Sequence, residues 1–140
     1  MRLLLRALPI ALLVGCTSSF APDSAPLTPP SAYLQWWQAT KACSGLTGDF
    51  SRLRFSVIEG RDFECPSGRC VGRWEPASTI ILASSYAHSE LVVRHEMLHA
   101  LIGHSGHPDI PFRQRCGLTW DTWNTGGANP TGLPAFDHPD

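Results

Sequence analysis

Hydrophobic positions along the chain change period several times, and each change predicts a new element. Tyr33, Leu34, Trp36, Trp37 and Ala42 recur every three to four residues and are followed by Gly45. This spacing predicts a helix over roughly 31–43 with an aromatic, core-facing side and a glycine stop. From Phe50 to Glu59 the period falls to two, with Leu53, Phe55 and Val57 alternating against Arg52, Arg54 and Ser56. Such alternation predicts a half-buried strand. Cys70 to Trp74 is a second short strand candidate. The unbroken run Thr79-Ile80-Ile81-Leu82-Ala83 fits a third, entered through the turn Glu75-Pro76-Ala77-Ser78. Ser89 is a suitable cap for a helix running to Ile102, with Glu90 in its first turn, where the helix dipole favours negative charge, and Gly103 at its end. From Pro108 onward, frequent Pro and Gly predict mostly loop, with Trp120 and Trp123 capping the core. The expected fold class is therefore α+β: a small twisted sheet of three or four strands, one packed helix before it and another after it.

The first fifteen residues stand apart from that domain. Arg2 and Arg6 make a positive segment, and Ala7 to Val14 an apolar stretch too short to cross a bilayer, which takes about 20 residues. This is the layout of a secretory signal peptide. It ends in Leu13-Val14-Gly15-Cys16, which resembles the bacterial lipobox, where a small residue precedes the Cys that is lipidated and becomes the mature N-terminus. A plain secretory signal with a coincidental Cys is the alternative. On the resemblance, residues 1–15 are the lipoprotein signal peptide, Cys16 carries a lipid anchor in a bacterial membrane, and 16–30 form a Pro/Ser-rich tether. The folded domain then spans 31–140. Thr17 and Ser18 lack the Asp that retains similar lipoproteins at the inner membrane. The expected location is the cell envelope, anchored in the outer membrane.

Composition narrows the classes of function. A chain of 140 residues, 43% hydrophobic and 16% charged, suits one globular core and excludes a disordered polyelectrolyte. Eleven basic residues against 12 acidic give a net charge of −1, which becomes −3 once Arg2 and Arg6 are removed. No nucleic-acid partner is expected, because neutralising phosphates requires a concentrated basic face. With Cys16 assigned to the lipobox, four of the five Cys remain. In an oxidising compartment Cys43, Cys65, Cys70 and Cys116 most simply form two disulfides. Cys65 and Cys70 flank the turn sequence Pro66-Ser67-Gly68-Arg69, so a local bridge there leaves Cys43 for Cys116. A Cys-rich zinc site is the alternative, although no two of these Cys form a Cys-x-x-Cys pair.

The second helix contains His95-Glu96-Met97-Leu98-His99, the pattern HExxH. Two His four residues apart share one helix face, as two ligands of a tetrahedral zinc require. Glu96, rotated about 100° from His95, can reach a water at the metal without ligating the metal. The motif therefore assigns His95 and His99 to the metal and Glu96 to general-base catalysis. Leu91, Val92, Val93, Leu98, Leu101 and Ile102 are apolar enough to bury the helix and dry the site. Two merely hydrogen-bonded His on a buried helix are the bland alternative.

Over roughly residues 79–107 the sequence resembles the zincin metallopeptidases, whose fold the domain would share in minimal form. Zincins take a third protein ligand from downstream, and this chain has no Glu after Glu96 to supply one. The metzincin branch continues HExxHxxGxxH. Here His99 is followed by Gly103 and His107, the same layout with one extra residue on each side of the Gly. The resemblance thus implies His107 as third ligand and Zn2+ as cofactor, although no Met follows Met97 to form a Met-turn. Asp121, Asp109, His104 and His138 are the alternatives. The resemblance further implies hydrolysis of a peptide or protein substrate by a zinc-activated water. Tyr86 or His88 would serve as a second oxyanion donor, and the strand at 79–83 as the edge that aligns an extended substrate. The function expected is a membrane-anchored zinc metallopeptidase. A non-catalytic zinc-binding envelope lipoprotein is the rival.

Overall fold

A computed structural model describes residues 23–66 and 68–126. Residues 1–15, expected to be a signal peptide, and Cys16 and His138 lie outside the described residues. In chain order the elements are β1 (Ala25–Pro26), α1 (Ser31–Ser44), β2 (Arg54–Ile58), β3 (Phe63–Cys65), β4 (Gly68–Cys70), β5 (Gly72–Glu75), β6 (Thr79–Ala83), α2 (Glu90–Ile102) and α3 (Trp120–Gly126). The domain is α+β, as expected. Both long helices end where the glycines predict. Gly45 and Gly103 adopt left-handed conformations, at φ 74° and 77°, and their N–H groups close the last turns onto Lys41 and His99. The Ser89 hydroxyl caps α2 by accepting the Val92 N–H.

The main sheet has the order β1-β2-β6-β5, with β2 and β6 parallel and the two outer pairings antiparallel. Register aligns Phe55, Ile80 and Trp74 in one row across β2, β6 and β5. Phe55 meets the Tyr33 ring of α1 edge-on at 4.9 Å, so this row faces the helices. A core of Tyr33, Trp37, Phe55, Ile80, Val93 and Met97 fills the layer between sheet and helices. Within it the Tyr33 hydroxyl donates to the Ala87 carbonyl at 2.6 Å. A second cluster, Leu91, Leu98, Phe112 and Leu118, lies against another side of α2. Trp120 packs on both clusters and Trp123 on the second, which bears out their reading as core caps.

Several expectations are corrected. The strand at 79–83 is not an edge: β6 has neighbours on both sides, and all five of its residues are buried. A central strand covered on both faces has no solvent side, which is why its sequence is unbroken in apolar character. The edge next to α2 is β5. The strand expected from Phe50 begins only at Arg54, because the Asp49 carboxylate accepts the Ser51 N–H and winds 50–52 into a 3-10 turn. The strand expected over Cys70–Trp74 splits at Val71. Its first part pairs with β3 in a separate hairpin, and its second joins the main sheet. Ala25–Pro26, within the stretch read as tether, pairs with Ser56 and Val57 at the far edge. That position suits Pro, which has no N–H to offer a further strand. Among the described residues beyond Pro108, where mostly loop was expected, Ile110–Arg115 forms a π-helical turn and α3 follows; residues 127–140 lie outside the described residues.

Both disulfides have the expected connectivity, Cys43–Cys116 and Cys65–Cys70. The first ties the end of α1 to the end of the π-helical turn, beside a 3.0 Å hydrogen bond from the Arg115 guanidinium to the Ser44 carbonyl. The second closes the β3–β4 hairpin. Among the described residues no helix is long and apolar enough to cross a membrane.

Candidate metal centre

His95 and His99 stand one turn apart on α2, and their Nε2 atoms are 3.2 Å apart. After Gly103 reverses the chain, His107 returns to the same face, with its Nε2 3.0 Å from that of His95 and 3.1 Å from that of His99. Ligands at about 2.0–2.1 Å in a tetrahedron lie roughly 3.3 Å apart, so the triangle is nearly the base of such a site. The three residues can hold a metal ion. His99 is buried, His95 half-buried and His107 exposed, so solvent reaches the cluster from the His107 side.

The other ring nitrogens set the protonation of this triangle. His95 Nδ1 lies 2.7 Å from the Leu118 carbonyl, and His99 Nδ1 2.9 Å from the His104 carbonyl. A carbonyl can only accept, so each Nδ1 carries the proton, and in its neutral form each ring turns an Nε2 lone pair toward the centre. Lone pairs converging at 3.0–3.2 Å repel unless a cation or a shared proton lies between them. The donor set therefore fits a metal ion. Beneath the rings lies Phe112, fully buried, its centroid 4.8 Å from those of His95 and His99 and 5.0 Å from that of His107. It gives the site an apolar floor.

The Glu96 carboxylate, one residue along α2 from His95, lies buried against the edge strand. Just ahead of β5, the Val71 carbonyl accepts the Ala83 N–H at 2.9 Å, which makes Val71 and alternate residues after it the ones bonded to β6. Alternation leaves the Gly72 and Trp74 N–H groups directed off the sheet edge. The Glu96 carboxylate accepts the Trp74 N–H. Burial pushes the Glu96 carboxyl up to about 8, opposed by that hydrogen bond and by the positive charge of Arg73.

The remaining candidates are placed elsewhere. Asp121 accepts from the Thr119 hydroxyl at 2.6 Å and pairs with Arg113 at 2.5 Å. Asp109 pairs with the same Arg113 at 3.3 Å, and both carboxylates are exposed. Arg113 thus gathers the two Asp that competed with His107 for the third position. His104 contributes its backbone carbonyl to His99, while its ring Nδ1 accepts the Gly106 N–H at 3.1 Å. Of the two oxyanion candidates, Tyr86 is buried in the core with its ring edge-on to Trp120, and His88 is exposed ahead of α2. Phe112 and the Leu118 and His104 carbonyls were not foreseen. An apolar residue in an apparent loop and two backbone oxygens leave no mark in a sequence. No family model, curated protein or solved structure matches this chain.

Proposed function

We propose that the protein is a zinc-dependent metallopeptidase of zincin type, carried on a bacterial lipoprotein anchor. The observation that carries this reading is the convergence of three Nε2 atoms, two of them on an HExxH helix with Nδ1 backed by a carbonyl. Imidazole ligands of this number and spacing suit zinc. When bound, zinc acidifies a water to a pKa of about 7 and polarises a carbonyl. His95, His99 and His107 would hold the ion, while the Leu118 and His104 carbonyls fix the His95 and His99 rings and Phe112 excludes water from beneath them. Glu96 accepts a proton from water on its carboxylate and delivers it to the nitrogen of the leaving amine. A dication held by the three His would favour the ionised form of this carboxyl and so oppose the effect of its burial. The signal segment and Cys16 support lipid anchoring in the outer membrane, where the substrate would be a peptide or an envelope protein.

A second reading keeps the metal and drops the chemistry. The hydrogen bond between Glu96 and the Trp74 N–H would by itself tie α2 to β5, as a non-catalytic zinc-binding lipoprotein needs. One experiment separates the two: zinc stoichiometry, and cleavage of a denatured protein with and without chelator, for the wild type and Glu96→Gln. A peptidase carries one zinc per chain in both forms and loses on the order of 10²–10⁴ in rate in the Gln variant, the usual contribution of a general base. Chelator-insensitive cleavage, or equal rates in the two forms, refutes the catalytic reading.

A further inference from the structure

We propose that Gly72 is a positioning residue for Glu96: the Cβ it lacks leaves the space on edge strand β5 in which the Glu96 carboxylate lies. A Cβ built at Gly72 would meet Glu96 Oε1 at 2.8 Å, Val92 Cγ1 at 2.9 Å and Glu96 Cγ at 3.0 Å. Side-chain carbons do not approach other atoms that closely, so any other residue at 72 forces something to move. The backbone does not require glycine here. Gly72 lies in a regular antiparallel pairing opposite Leu82, and its φ is outside the left-handed region where side chains are disfavoured. Glycine in a strand interior otherwise weakens the strand and often marks a close approach by another group. Here that group is the carboxylate.

The contact also constrains direction. The Trp74 N–H, two residues along β5, holds the carboxylate at the sheet edge, and the bare Gly72 Cα lets it lie flat against the strand. Helix α2 fixes the Cα of Glu96 one residue from His95, so little freedom remains in the side chain. The base is thereby held from two elements, with strand and helix each fixing one end.

This inference rests on the peptidase reading, and its test uses the mature, zinc-loaded chain. Gly72→Ala is compared with wild type for urea midpoint, zinc content, and kcat and KM on a denatured protein, and with Glu96→Ala, Val92→Ala and the two double variants for urea midpoint. Were the Cβ accommodated, Ala should raise the midpoint by narrowing the unfolded ensemble. We expect a lowered midpoint, zinc still near one per chain, and a 10- to 100-fold lower kcat with KM little changed. That range follows from a loss of about 10²-fold for a 1 Å misplacement. Glu96→Ala, which removes both Oε1 and Cγ, should relieve most of the effect of Gly72→Ala on the midpoint, and Val92→Ala should leave most of it in place. An Ala variant as stable as wild type, or one relieved by Val92→Ala instead, overturns the proposal. A wild type that cleaves nothing refutes the peptidase reading, whereas Gly72→Ala cleaving at the wild-type rate refutes this one with the peptidase intact.

Discussion

Removing the Cys43–Cys116 bridge should unfold the domain more readily and weaken its hold on metal, and the size of the first effect can be worked out. The bridge joins residues 73 apart in sequence. In the chain-entropy model, closing a loop of that length stabilises by about 4.4 kcal/mol. The Cys65–Cys70 bridge spans a separation of 5 and should contribute about 2 kcal/mol. Against the 5–15 kcal/mol that ordinarily separates folded from unfolded domains, losing the long bridge removes much of the margin. At roughly 4 °C per kcal/mol for a domain of about 100 residues, Cys43→Ala/Cys116→Ala should melt 15–20 °C below wild type. Cys65→Ala/Cys70→Ala should melt about half as far below it. Thermal unfolding by circular dichroism, with zinc removed by chelator, measures both without interference from metal binding. Zinc titration then reads the second effect. Cys116 lies two residues before Leu118, whose carbonyl fixes His95, and four after Phe112, the floor of the site. The released segment must therefore be reordered each time metal binds. Equal melting of the two double variants, or unchanged zinc affinity without the long bridge, would refute this account.

Three further outcomes follow from the same geometry. His107→Ala should lower zinc affinity severely while Asp109→Ala and Asp121→Ala leave it near wild type, because only the His joins the triangle; competition with a chromogenic chelator checks this. Phe112→Ala should cost about 3–5 kcal/mol in urea unfolding, as large-to-small core changes do. It should weaken zinc binding as well, since one ring supports all three imidazoles. Burial raises the Tyr33 hydroxyl to about 12, so the native chain keeps a proton that the unfolded chain releases near pH 10. The associated stability is complete below pH 10 and is lost as pH rises toward 12. Tyr33→Phe should lessen that decline, and unfolding free energies measured across this range would show it.

What the sequence disclosed depends on how local its cause is. Helix α2 was legible to the residue because Ser89, Glu90 and Gly103 act within one turn of their own positions. The disulfide pairing was legible because a turn sequence between Cys65 and Cys70 left a single partner for Cys43. Strand order was not, since β6 could be recognised as buried but not as central. The difference between an edge and an interior position lies in which strands flank it, and β1 came from a Pro-containing stretch with no strand period. The π-helical turn at 110–115 was hidden behind Pro108 and Pro111, which read as loop residues.

The site itself divides along the same line. His95, Glu96 and His99 are a helix pattern and needed only the sequence. All else at the centre comes from the segment 103–118, whose contributions arise from tertiary placement. Gly103 turns it, the His104 carbonyl orients His99, His107 completes the triangle, Phe112 lies beneath and the Leu118 carbonyl orients His95. One segment thus supplies the third imidazole, both backbone orienters and the floor, with its far end bonded to α1 through Cys116. Helical spacing brings two imidazoles together, but only the closed segment gives them a third partner and fixed tautomers. The longer interval from His99 to His107, relative to HExxHxxGxxH, provides the chain needed to lay the His104 carbonyl against His99 before His107 arrives. The shifted spacing is therefore the route by which the same residues orient His99 and deliver His107 to the triangle.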